Sequence, residues 1–295
     1  MAQAFKHDLA NDPEFANANY SQDDLQGLRG TARDRLSRLA RDAQVPLCIL
    51  SAEILSTFDE QELADTQAFM ADFFDAVEVF IYVRPLKARM ESGLQEILKT
   101  RYQSLAERVP LNYMGLSRKF DQAFGRDHVH FFKFSRDTFS DGGVVGHFLA
   151  AAGIDGQPTA EQPANPRLSK EAVQLLYAYR KYFPRSQRGD QALLNRLAEL
   201  GQTPFHLHSS LFYELLHTGP NAARRFAERA GFSVEEDIQR HDDVGIRNED
   251  DMLAFPRESI QWLHGQLSLA HKLKFRRSSR PEKVAQALNS LRSAT

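Results

Sequence analysis

VEVFIYV, Val77 to Val83, sets the terms for the fold of this chain. The run is almost wholly apolar and rich in β-branched and aromatic side chains. It is too short for a helical period and lacks the alternation of a half-exposed strand, so it reads as a buried strand of a parallel sheet. Arg84-Pro85 follows at once, and Pro85 suits the first position of a helix predicted to run to about Lys99. A strand passing straight into a helix is the repeating step of an α/β protein.

The same step is predicted on either side. VPLCIL, Val45 to Leu50, reads as a strand that tolerates Pro46 near its start and ends in the turn Ser51-Ala52-Glu53. A helix from about Leu28 to Arg41 precedes it, and one from Asp59 to Phe74 follows, with Leu63, Phe69 and Phe73 facing inward. Further on, a helix over Gly115 to Phe124, a turn at Gly125-Arg126-Asp127 and a strand over His128 to Phe134 lead to a helix from Gly142 to Ala152. The first twenty-five residues are polar and without period, and read as an irregular opening.

After Gly156 the run GQPTAEQPANPRLS reads as a linker or long surface loop. Beyond it every predicted element is a helix: Ser169 to Phe183, Asp190 to Leu200, Pro220 to Ala230 and Arg257 to Leu269. The expected organisation is an α/β core over residues 1–156 and a helical extension over 157–295, packed on or beside that core.

Charge and cysteine content narrow the function. The 295 residues carry 37 Lys and Arg against 39 Asp and Glu, a formal net charge of -2, which does not mark a general nucleic-acid binder. Hydrophobic residues at 42% and charged residues at 26% give the balance of a soluble globular protein. The one cysteine, Cys48, excludes an internal disulfide and sits in an apolar run, where a buried thiol is expected. The opening residues have no apolar core of a secretory signal and no stretch is suited to span a membrane, so a cytoplasmic location is expected.

In parallel α/β proteins ligands bind beyond the carboxyl ends of the strands. Ser51 and Glu53 lie past one predicted strand, and Arg84 past another. Ser92 follows Arg84 by eight residues, about 12 Å along a helix axis. An anion beside the first turns would meet both the guanidinium fork and the hydroxyl, with Lys87 and Arg89 adding positive charge. Equally, Arg84 would serve to pair with an acidic neighbour and Ser92 to face solvent. His128 with His130, and His206 with His208, alternate as strand residues do, yet each pair lacks a third metal ligand at sensible spacing. Tyr177, Tyr179, Tyr182 and Phe183 would line a cleft or simply pack a helix. HKLKFRRSSRPEK near the end reads as a solvated helix end or a surface for an anionic partner.

FIYVRPLKARMESGLQEILKT resembles the strand and helix that bind the 3'-phosphate of 3'-phosphoadenosine-5'-phosphosulfate (PAPS) in sulfotransferases, with Arg84 and Ser92 in the family's positions. LCILSAEILS is similar to the preceding segment of bacterial sulfotransferase-like proteins, including its Ser-x-Glu. LNYMGLSRKFDQAFGRDHVHFFKFSRDTFSDGGVVGHFLAAAGI and, more loosely, NPRLSKEAVQLLYAYRKY resemble the stretches that follow. The likeness covers roughly residues 45–183.

That resemblance implies a P-loop-type sulfotransferase fold, with PAPS as co-substrate and sulfuryl transfer to a hydroxyl or amine of a carbohydrate or small metabolite. It assigns cofactor binding to Arg84, Ser92 and Lys87. Glu53, in the Ser-x-Glu segment, and His7, near where relatives carry a histidine, become candidates for the catalytic base. Glu53 would otherwise be a partner for Arg84 or a helix-start carboxylate, and His7 a surface histidine. The family's phosphosulfate-binding loop, a Lys followed by Gly and Ser or Thr, has no counterpart here. The resemblance therefore implies a truncated start and a sheet without its first strand. The alternative is a non-catalytic relative that keeps a nucleotide half-site as an interaction protein.

Overall fold

A computed structural model describes residues 1–9, 20–42, 47–107, 112–135, 139, 142–156, 167–212, 220–235, 238 and 244–294. The apolar run supplies strand β1, Val79–Val83, and β2, Val129–Lys133, pairs with it in parallel as a two-stranded sheet. The architecture is mixed α/β with a largely helical C-terminal region. The chain divides into two compact units that interleave along the sequence. One takes Met1–Tyr82, Asn112–Phe132 and Arg224–Phe232; the other takes Val83–Leu111, Lys133–Ala223 and Ser233–Thr295.

The first unit holds α1 (Ala2–Phe5), α2 (Gln22–Asp42) and α3 (Glu60–Ala71). Contrary to the expected irregular opening, Ala4, Phe5 and Leu9 are buried. The Phe5 ring meets Phe69 edge-on at 5.2 Å, and Arg33 of α2 donates from Nε to the Ala4 carbonyl at 2.9 Å. An amphipathic helix with only a few apolar contacts is enough to dock so short a segment, and its polar composition hides this. The helix over Asp59 to Phe74 is close to its prediction. Asp59 caps it through a reciprocal box with Glu62, each side chain accepting the other residue's N–H.

VPLCIL is the clear correction. Residues 47–50 form no strand: Leu47, Ile49 and Leu50 are 50%, 52% and 44% exposed, and Cys48 is exposed rather than buried. Val45 and Pro46 lie outside the described residues. A short apolar run becomes a strand only where another strand offers it an edge, and among the described residues β1 and β2 pair only with each other.

That pairing also explains why residues 79–82 are half-buried, whereas the sequence predicted a strand covered on both faces. One face is an aromatic ladder: Phe80 stacks on His130 at 5.1 Å, and Phe132 lies 5.4 Å from Tyr82. The opposite face of β2 buries Val129 and Phe131, and Phe131 meets Phe226 at 5.6 Å. Phe226 lies on a helix described below. The first unit also includes α5 (Tyr113–Phe124), which packs on α3.

The second unit begins with α4 (Leu86–Thr100) and continues with α6 (Gly143–Ala151), α7 (Lys170–Tyr182) and α8 (Asp190–Leu197). The helix bearing Phe226 is α9 (Pro220–Ala230), which belongs to the first unit from Arg224 onward. Then come α10 (Glu249–Leu253), α11 (Arg257–Gln266), α12 (Leu269–Phe275) and α13 (Pro281–Ser293). Every residue from Ala172 to Arg180 is buried, so α7 is the axis of this unit, with α4, α10 and α13 against it. Gln174 donates to the Asp251 and Ala254 carbonyls and Tyr177 to Glu249, while Gln174 Oε1 is buried without a hydrogen-bond partner among the described residues. Tyr177 and Tyr179 are fully buried and therefore pack the core.

The basic tail resolves into two helices. Phe275 is buried, Arg276 and Arg277 both take φ 51, and the chain turns there into α13. Pro281 opens that helix, and Val284, Leu288 and Leu291 form the stripe it buries.

Candidate functional site

Arg84 stands where β1 ends, and Pro85 caps the start of α4. The backbone is fixed on both sides of the site. Leu86 N–H donates to the Val234 carbonyl at 2.8 Å, and Phe134 N–H continues the strand pairing to the Val83 carbonyl at 2.8 Å. From this junction the long Arg84 side chain spans the two turns to Ser92. Its Nη1 donates to Ser92 Oγ at 2.7 Å. The reach is possible because side chains on a helix lean toward its N-terminus, which brings Ser92 back toward Arg84. The guanidinium lies 4.7 Å from the centre of the Phe134 ring, a second restraint on its plane.

The two residues singled out in the sequence are thus in direct contact. Chemically the pair is a fork of N–H donors ending on a hydroxyl. Ser92 Oγ accepts the bond from Arg84 and keeps its own hydrogen for another acceptor. Lys87 lies half-buried in the first turn of the same helix, and Arg89 is exposed.

Glu91, beside Ser92, was not foreseen as functional. Its carboxylate is turned to the chain at His206 and Leu207: Oε1 accepts the Leu207 N–H at 2.9 Å and lies 3.3 Å from His206 Nδ1. Burial pushes this carboxyl up from the ordinary range, against the opposing pull of the Leu207 N–H and the charges of His206 and Lys87. A signal was available in the sequence. Glu91, Leu94, Gln95 and Leu98 share the buried stripe of α4, so the glutamate occupies a core-facing position.

The two base candidates belong to the other compact unit. Glu53 opens a short 3-10 turn over Glu53–Thr57, is exposed, and makes no side-chain hydrogen bond or ion pair with the described residues. His7 is half-exposed. Its Nε2 lies 3.0 Å from Asp65 Oδ2, and its backbone N–H donates to Glu62 Oε1 at 2.6 Å. Within its own unit the structure therefore brings Arg84 and Ser92 together.

His7, Asp59 and Glu62 each offer a ligand atom within 4.8 Å of the others. Those carboxylates already serve the start of α3: Glu62 accepts the N–H groups of Asp59 and His7, and Asp59 accepts that of Glu62. The alternating histidines are also accounted for by hydrogen bonds. Glu78 supplies the acidic neighbour that spacing alone did not reveal, with one oxygen 2.7 Å from His128 Nδ1 and the other 2.7 Å from His130 Nε2. These two contacts hold its carboxyl below the usual range. His206 and His208 take separate partners, Glu91 for the first and Ser210 for the second.

Compared with family models, curated proteins and solved structures, the chain finds no match in any of the three. Among the described residues, no helix is long and apolar enough to cross a membrane.

Proposed function

We propose that this chain is a sulfotransferase of the P-loop type that binds PAPS through Arg84 and Ser92 and passes its sulfuryl group to a hydroxyl or amine acceptor. The contact from Arg84 Nη1 to Ser92 Oγ at 2.7 Å carries this reading, because it gathers a guanidinium and a hydroxyl at the carboxyl end of a parallel strand. That donor set suits a phosphate monoester, whose several oxygens accept from both groups at once. Glu91, the nearest carboxylate in sequence, is engaged by Leu207 and His206 and so does not spoil the fit.

PAPS would supply the activated sulfuryl group. The residues of this chain have the remaining work: Arg84 and Ser92 hold and orient the 3'-phosphate, and Lys87 adds positive charge beside it. Glu53 or His7 would take the acceptor proton. A carbohydrate or small hydroxylated metabolite is the acceptor class that the sequence resemblance suggests, in a cytoplasmic setting.

Calorimetric titration with adenosine 3',5'-bisphosphate tests the reading, with adenosine 5'-monophosphate and Arg84→Ala run in parallel. Binding should require both the 3'-phosphate and Arg84. A folded chain that fails to bind the bisphosphate, or binds both nucleotides alike, would sink it. Arg84-dependent binding without transfer from PAPS to any of a set of hydroxyl and amine acceptors would instead describe a non-catalytic relative.

A further inference from the structure

In the unit that does not contain Arg84, two helix faces and a turn line an open polar cleft. Arg118, Asp121 and Gln122 share one face of α5 by their spacing, and Arg225, Glu228 and Arg229 share one face of α9. Arg126 enters from the turn between α5 and β2, where Gly125 at φ 87 takes a backbone conformation that other residues adopt only with strain. The open cleft has a volume of about 410 Å³, within the size range of small-molecule sites.

Arg229 fixes this frame. Its Nε and Nη2 hold both oxygens of Asp121, at 2.7 and 2.6 Å. Nη2 also reaches the backbone carbonyls of Arg126 at 3.0 Å and Val129 at 2.9 Å. One guanidinium therefore ties α9 to α5, to the turn and to the start of β2, and neutralises Asp121 in doing so. Glu228 has Arg224 within 3.9 Å.

The charge left over is positive. Arg126 and Arg225 are exposed, and their guanidinium groups make no hydrogen bond or ion pair with the described residues. Among the described residues Arg118 pairs with Glu60 alone, at 3.1 Å, a contact 66% and 58% exposed that water and salt screen. The rigid Arg229 contacts thus hold two uncommitted guanidinium forks on different segments around one space.

We propose that this cleft binds a small molecule through a phosphate or sulfate group, with Arg126 and Arg225 as its principal contacts and Arg118 as a third cation. A carboxylate has two oxygens and is satisfied by one fork, whereas a tetrahedral oxyanion has oxygens enough for two. The site stands apart from the nucleotide reading and survives if that reading fails.

The full chain would be titrated calorimetrically with inorganic pyrophosphate, sulfate and acetate at matched ionic strength. The same titrations would be run on Arg126→Ala/Arg225→Ala, on Arg225→Gln and on Arg84→Ala. Binding of a tetrahedral anion should weaken at least about tenfold in the double variant and measurably in Arg225→Gln, and persist in Arg84→Ala. Both arginines are exposed, so the unfolding temperature should stay unchanged. Pyrophosphate alone binding in this way assigns a phosphate-bearing ligand, and sulfate binding as well assigns a tetrahedral oxyanion of either kind. Undiminished affinity in the double variant, loss in Arg84→Ala, equal binding of acetate, or no binding by a folded chain would overturn the proposal.

Discussion

Arg180 and Arg84 lie in the same compact unit and put the same side chain to opposite uses. Arg180 is fully buried on α7. Its Nε donates to the Leu98 carbonyl at 2.8 Å, Nη1 to the Arg185 carbonyl at 3.2 Å, and Nη2 to the Lys99 carbonyl and to Asp190 Oδ2. Those acceptors include the last turn of α4, which would otherwise bury unpaired carbonyls. Arg84 is half-buried at the other end of α4, against an aromatic face and a neutral hydroxyl. An arginine whose donors close helix ends is part of the scaffold. One that meets a hydroxyl at a strand end is the one proposed above to take an anion.

The contrast fails first if Arg180 proves dispensable. Arg180→Ala should lose about 3–5 kcal/mol of stability, because it strands a buried carboxylate and several carbonyls together. Urea unfolding reads this directly, and a loss under about 1 kcal/mol would refute the structural role. Asp190 adds a sign to the test. Burial pushes its carboxyl up, but the Gln187 N–H and the Arg180 guanidinium outweigh that and hold it below its ordinary value. The unfolded chain therefore takes up this proton first on acidification. The stabilisation is present above about pH 4 and is lost as pH falls through the depressed folded value. Asp190→Asn should flatten that acid limb of the unfolding temperature.

Arg84→Ala should do the reverse, leaving stability within about 1 kcal/mol of the parent while weakening adenosine 3',5'-bisphosphate binding about 10- to 100-fold. Similar losses of stability in the two arginine variants would erase the distinction. Ser92→Ala removes one hydroxyl and leaves the guanidinium, so an effect of about three- to tenfold on the same titration is expected. A larger effect would mean that Ser92 mainly positions Arg84.

What could be read in advance follows from how local each signal is. The β1 to α4 junction was legible because a seven-residue apolar run, Arg84, Pro85 and the following period lie side by side in the sequence. The bounds of α9 were read correctly, and Ser169 caps α7 through the Ala172 N–H as its position suggests. VPLCIL misled because whether an apolar run becomes a strand depends on an edge elsewhere in the fold. The docking of Ala4, Phe5 and Leu9 was invisible for the same reason. The α13 stripe of Val284, Leu288 and Leu291 has helical spacing in the sequence, next to a strongly basic approach. For the site, spacing together with the resemblance singled out Arg84 and Ser92, while spacing alone left open a solvent-facing Ser92. It could not show that Arg84 touches Ser92, nor that Glu91 turns the other way.

Glu91 sharpens the comparison most finely, since it is a buried carboxylate in the unit of Asp190 with the opposite titration. Asp190 has a buried guanidinium, a tyrosine hydroxyl and a backbone N–H to stabilise its charge. Glu91 has one backbone N–H, a half-exposed histidine at the edge of bonding distance and the charge of Lys87, and burial outweighs them. Its folded value is raised, so the folded chain holds this proton more tightly than the unfolded one. The stability it contributes is fully present below the unfolded value, near pH 4.3, and is lost as pH rises through the folded value. Glu91→Gln keeps an oxygen to accept the Leu207 N–H and removes the buried charge. At neutral pH it should change stability by no more than about 1 kcal/mol, in the stabilising direction, and lift the decline between mildly acidic and neutral pH. Unfolding temperatures of this variant and Asp190→Asn across that range should then diverge from the parent in opposite senses. If Glu91→Gln destabilises the chain as Asp190→Asn does, the Leu207 and His206 contacts hold a charge that the fold needs, and Glu91 belongs with Arg180 in the scaffold.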